Sequence, residues 1–218
     1  MAEWWTYSAE DFLLFSARTY WRLVERYNEA LWPAQLLALA AGGLILACLT
    51  RPRAWTGPVV AALLAAGWAW IAWGFLWARY AVINWAAAYA VPVFALQALL
   101  LLWPGSRLGW RLTATARGWI GLGLFVAGLL AYPLLAPAGG RPIAAMELFG
   151  VMPDPTAVAT LGLLLMAAAR RAVLLMLVPA AWCLAGGATL YAMGSSQAWL
   201  PLAAAALALA GTMLPRTR

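Results

Sequence analysis

The chain contains no histidine and no lysine. Without imidazole, a bis-histidine haem, a histidine-ligated metal and histidine acid–base catalysis are all excluded. Without lysine there is no Schiff base for retinal, which removes the rhodopsin reading that seven helices would otherwise invite. Only two cysteines are present, Cys48 and Cys183, at different depths of separate apolar runs. They have no metal-ligand spacing, so they read as buried structural thiols rather than a disulfide or a zinc site. Charge is also scarce. Charged residues make up 10% of the 218 residues and hydrophobic ones 66%, whereas a soluble domain is about a quarter charged.

What the chain does have is apolar runs long enough to cross a bilayer. A spanning helix needs roughly 20 apolar residues, because it rises about 1.5 Å per residue through a core about 30 Å thick. Seven such spans are expected near 31–50, 56–78, 81–103, 118–136, 153–169, 172–193 and 196–214. Every second gap between them carries arginine and no acid: Arg51 and Arg53, then Arg107, Arg111 and Arg117, then Arg170 and Arg171, then Arg216 and Arg218. All seven acids (Glu3, Glu10, Asp11, Glu25, Glu29, Glu147 and Asp154) fall on the other side, with the remaining five arginines. Cytoplasmic loops retain positive charge during insertion, so the arginine-only side is read as the cytoplasm of a bacterial inner membrane. The N-terminus is then outside and the C-terminus inside. The net charge of +7 is accounted for by this topology and by anionic lipid headgroups, with no nucleic-acid partner.

No cleavable signal peptide is expected, since the chain opens on Glu3, Trp4 and Trp5 without a basic stretch. Residues 1–30 form one expected unit, an amphipathic helix over 9–30 lying in the outer interface, and residues 31–218 form the seven-helix domain. Ser8 and Asp11 have capping-box spacing at the start of that helix. Leu13, Ala17, Tyr20, Val24, Tyr27 and Leu31 line one face; Asp11, Arg18, Arg22, Glu25 and Glu29 line another, with Arg22/Glu25 and Arg26/Glu29 as i,i+3 pairs. The stretch Pro142–Gly150 is too short to cross and reads as interfacial or re-entrant. Asp154 is expected as the N-cap of the short fifth span, with Pro155 at its first helical position.

Four constellations can carry chemistry. Trp68, Trp70, Trp73, Phe75 and Trp77, continued by Tyr80, Trp85 and Tyr89, form either an aromatic pocket for a lipid, quinone or organic cation, or an interfacial belt. Arg79, Arg141, Glu147 and Asp154, with Glu25 and Glu29 near them, form either a polar site or a set of ion pairs that pin loops. Gln35, Asn84, Gln97, Thr160 and Thr189 are buried polar groups of the kind that bond helices together. Met146, Met152 and Met193 are thioethers on one side, read as packing or as a Cu(I) site. No cofactor is expected. Two carboxylates with no nucleophile or metal partner make an enzyme the third reading.

The block Tyr27-Asn28-Glu29, followed by Trp32-Pro33-Ala34-Gln35, is joined by a second, Phe149-Gly150-Val151-Met152-Pro153-Asp154-Pro155-Thr156, and a third at Pro179-Ala180-Ala181-Trp182 with Gly186-Gly187. Together these resemble a family of bacterial membrane proteins catalogued as domain of unknown function number 6064. The resemblance implies a multi-helix membrane fold and places Asn28, Glu29, Trp32, Gln35, Asp154 and Thr156 on one side.

The leading expectation is an all-α polytopic membrane protein of non-enzymatic, ligand-handling type, in its simplest form a small permease. Its ligand is a small molecule or lipid, bound in the outer half between the first, second, third and fifth spans. Glu29, Gln35, Asn84, Glu147 and Asp154 are the expected polar contacts, and Trp73 and Trp77 the wall. The alternative is an accessory or scaffold subunit, held by a membrane-complex partner or by other copies of itself.

Overall fold

A computed structural model describes Glu10 and residues 13–215; Ser8, Asp11, Arg216 and Arg218 lie outside the described residues. The described residues are mostly helical and form no strand. Eight helices are labelled in order: α1 (Ala17–Leu31), α2 (Gln35–Thr50), α3 (Thr56–Ile83), α4 (Ala87–Leu102), α5 (Ala116–Ala138), α6 (Pro153–Met166), α7 (Ala172–Ala192) and α8 (Trp199–Met213). Each expected span has a helix at its position. Four of them, α3, α4, α5 and α7, are long and apolar enough to cross a membrane, or five spans if α1 and α2 count as one broken segment.

The amphipathic helix starts later than its periodicity suggests. Leu13 to Phe15 are not helical, and Ser16 caps α1 by accepting from the Thr19 amide at 3.2 Å. α1 then meets α2 at 86°. Gln35 closes the corner, its Nε2 donating to the Asn28 carbonyl at 2.6 Å. α1 also holds the 139–152 connection beneath it, because Asn28 Nδ2 donates to the carbonyls of Ala144 and Met146, both at 2.7 Å. The stretch Pro142–Gly150 therefore folds as a short turn under α1, with Ala145, Glu147 and Phe149 buried.

The core is α6. Every residue from Val151 to Ala167 is buried, because α3, α5, α7 and α8 all pack on this helix. Its shortness follows: a helix walled by protein needs neither the length nor the uniform apolarity of one facing lipid. Thr160 can then sit at its centre, accepting from the indole Nε1 of Trp68 at 3.0 Å. Gly121 on α5 and Gly162 on α6 let the two backbones touch, since a Cβ on either would strike the other's carbonyl oxygen or the neighbouring turn.

The two ends of α6 have opposite character. At its C-terminus, Ala168 N donates to Gly109 O at 3.1 Å, Arg171 Nη2 to Arg107 O at 3.1 Å, and Arg53, Arg107 and Arg111 line one groove. The connection carrying Arg141 and Glu147 gathers at the N-terminus with Asp154. Arg53, Arg107, Arg111 and Arg171 therefore lie at the opposite end of α6 from Glu147 and Asp154.

Candidate functional site

α6 begins with a division of labour among four residues. Met152 is the N-cap in extended conformation and Pro153 takes the first helical position, where its missing N–H is no loss. No side chain caps the helix; Thr156 instead ties the preceding turn to it, its Oγ1 donating to Met152 O at 2.7 Å and accepting from Gly150 N at 2.8 Å. Asp154, expected at the cap itself, is the second residue of the helix and does not cap it. Its carboxylate turns sideways, where Oδ1 accepts from Trp182 Nε1 at 2.7 Å and Oδ2 from the Tyr132 hydroxyl at 3.5 Å. Gly186 makes the room: a Cβ there would lie 2.7 Å from Asp154 Oδ1.

That carboxylate borders a cavity of about 350 Å³ between α1, α3, α4, α6 and α7. Five aromatic rings line it among small and aliphatic side chains: Tyr20 from α1, Phe75 and Tyr80 from α3, Phe94 from α4 and Trp182 from α7. The rings brace one another, with Tyr20 and Tyr80 centroids 5.7 Å apart and Phe94 and Trp182 4.8 Å apart, both edge-on. Two stretches of wide π-helical turn, Ile71–Tyr80 in α3 and Ala127–Ala131 in α5, precede or contain the residues that surround Asp154. Such turns re-aim side chains that a regular helix would direct elsewhere, and they recur at functional sites. Phe75 and Tyr80 lie in the first stretch and Tyr132 directly after the second.

A second acid stands behind the wall. Glu147 is 2% exposed and does not line the cavity. Burial pushes its carboxyl up to about 8, the Asp154 charge pushes the same way, and Arg141 and a hydrogen bond with Tyr20 oppose them. Arg141 stacks its guanidinium 3.5 Å from the Trp21 ring centroid and donates from Nη2 to Gln197 Oε1 at 2.6 Å. Burial lowers the pKa of Arg141, while the Glu147 charge raises it. Arg141 Nη1 and Glu147 Oε1 are both buried without a hydrogen-bond partner. Arg141 thus acts on Glu147, whereas Asp154 is held by Trp182 and Tyr132, and of the two buried acids Asp154 is the one that lines the cavity.

Of the expected site residues, Asp154 and Asn84 line the cavity and Glu147 lies behind it. Asn84 accepts from the Ala86 amide at 3.2 Å at the α3–α4 turn. Gln35 is buried at the α1–α2 corner, away from the cavity, and Glu29 is exposed. Trp73 and Trp77 are 66% and 52% exposed and line no part of the cavity. The aromatic face they share with Trp70 points outward, while the inward face of α3 carries Phe75 and Tyr80. The expected enclosure by the second, third and fifth spans is met by α3, α4 and α6, but α1 and α7 stand where α2 was expected.

Tyr20, Phe94, Tyr132 and Trp182 are the site residues that sequence reasoning did not single out. Tyr20 was visible only as one member of an apolar stripe, and Trp182 only within a matched block. Among the described residues, no three histidine, cysteine or acidic side chains converge as a metal site would require. The arrangement suits recognition rather than bond-making: a carboxylate held by two donors at the edge of an aromatic chamber.

Residues 17–218 match the model of the Family of unknown function (DUF6064), and the chain belongs to that family. No curated protein and no solved structure matches it.

Proposed function

We propose that this member of the family is a ligand-handling protein of the bacterial inner membrane, a small permease or receptor-like binder whose ligand is a small organic cation. In this reading seven helices span, α1 lies in the outer interface, the N-terminus is outside and the C-terminus cytoplasmic. The right angle between α1 and α2 supports the interfacial placement, and the arginine-only end supports the orientation.

One observation carries the ligand class. Five aromatic rings line the cavity, and among the described residues Asp154 is the only charged one that does. Aromatic faces and a carboxylate together select a cation with an apolar body, since the ring quadrupole and the carboxylate attract the same charge. The volume falls within the roughly 300–1,000 Å³ of small-molecule sites. A quinone or neutral lipid would leave the carboxylate without a counter-charge in a desolvated wall.

The experiment is ligand-dependent stabilisation of the full-length protein in nanodiscs, with matched panels of ammonium, carboxylate and neutral compounds. The reading expects ammonium compounds alone to raise the unfolding temperature. Stabilisation by carboxylates, or no shift across the panel together with a stoichiometric co-purifying protein, would move the assignment to a subunit of a larger complex.

A further inference from the structure

Four arginines that the cavity does not use meet in a groove between α1 and the end of α3. Arg18, Arg22 and Arg26 recur every fourth residue along α1, and Arg79 reaches the same space from α3. The groove has a volume of about 580 Å³ over Leu23 and Ile83, and no carboxylate among the described residues lines it. All four arginines are exposed, and none makes a hydrogen bond or an ion pair. Glu25 and Glu29 share α1, yet the expected Arg22/Glu25 and Arg26/Glu29 pairs do not form.

Topology does not account for this cluster. Insertion concentrates arginine at the other end of the bundle, where nine of the 14 are expected. Four of the remaining five nonetheless converge here. Like charges held together without acids repel one another, and an anion would relieve that repulsion. The guanidinium fork matches phosphate oxygens two at a time. Arg18 to Arg26 extends about 12 Å along the helix, at about 1.5 Å per residue, so several oxygens can be met at once. Beside the arginines, Leu23 and Ile83 form an apolar floor, and Val82 and Trp85 are exposed at the same turn of chain. A soluble anion has no use for that surface, whereas an acyl chain does.

We propose that this groove binds the phosphate of an anionic phospholipid headgroup, with the acyl chains running over the adjacent apolar surface. The site is separate from the Asp154 cavity and stands without it.

The test is native mass spectrometry of the full-length protein in mild detergent, offered phosphatidylglycerol and phosphatidylcholine in equal amounts. Phosphatidylglycerol adducts should dominate. An Arg22→Gln/Arg79→Gln variant should lose about five-fold in that preference for each arginine removed. Arg53→Gln, at the opposite end, should keep it. The altered side chains are exposed, and an Arg22→Lys/Arg79→Lys variant, which keeps the charge, should retain most of the preference and so separates charge loss from misfolding. Equal retention of the two lipids by the wild type overturns the proposal, as does a preference unchanged in the glutamine variant. Displacement of the lipid by millimolar pyrophosphate would assign the groove to a soluble anion and overturn the lipid.

Discussion

The two ends of α6 each bury a charge, and they treat it differently. At the C-terminal end Arg117, 3% exposed, is laid across the carbonyls that terminate the helix. Its Nε donates to Leu165 O at 2.7 Å and its Nη1 to Gly211 O and Thr212 O, both at 3.4 Å. A cation at a helix C-terminus complements the dipole and ties α8 to α6. The space beside it is about 20 Å³, enough for about one water. At the N-terminal end Asp154 complements the dipole in the same way, but it borders about 350 Å³. Burial of charge alone therefore does not mark a site. A buried charge whose surroundings are filled by the chain's own groups holds the fold together, and one that borders room for a molecule is positioned to meet that molecule.

That contrast can be broken, and the largest effect should come from the structural end. Replacing Arg117 with Met should cost about 3 kcal/mol of unfolding free energy in detergent, because carbonyls of two helices lose a charged donor. Cation binding by the folded fraction should be unchanged. At the other end, Gly186→Ala drives a methyl into Asp154 Oδ1 and should cost about 2 kcal/mol while also weakening binding. Asp154→Asn preserves shape and should change stability by less than about 1 kcal/mol, yet reduce cation affinity at least about ten-fold in equilibrium titration, equivalent to about 1.4 kcal/mol.

Glu147 sharpens the comparison through pH. Its folded carboxyl lies above its ordinary value, so the folded state holds a proton that the unfolded chain has released. Its contribution is complete below the ordinary carboxylate range and is lost as pH rises toward about 8. Unfolding followed across that window should show falling stability, and Glu147→Gln should flatten the slope. The smallest effect belongs to Trp73→Ala. This side chain is mostly exposed, and its removal should move stability and binding by less than about 0.5 kcal/mol.

The helical layout was legible because apolar length and arginine placement are properties of the chain itself. Helices appear at all seven expected positions, and Arg53, Arg107, Arg111 and Arg171 lie at the opposite end of α6 from Glu147 and Asp154. Asp154, Asn84 and Glu147 were legible for a related reason: polar groups are costly in apolar runs, so each one draws attention. The wall was not legible. Trp73 and Trp77 attracted notice by their number, but the π-helical turns of α3 send them outward and bring Phe75 and Tyr80 in. No local pattern announces that change of phase. α6 hid its role as well, since a helix buried all round and a short spanning helix read alike in one dimension. Asp154 lost the expected capping role because Pro153, not Pro155, opens the helix. Either proline is compatible with the sequence.

The most direct measurement compares benzyltrimethylammonium with neopentylbenzene, its neutral carbon isostere, for binding to the purified wild type and to Asp154→Asn. The two probes share shape and differ in charge, so the difference between them isolates the carboxylate. The account predicts that the wild type binds the cation and discriminates against the isostere, and that Asp154→Asn abolishes the discrimination while remaining folded. Equal binding of the two probes by the wild type, or discrimination that survives in Asp154→Asn, would contradict it.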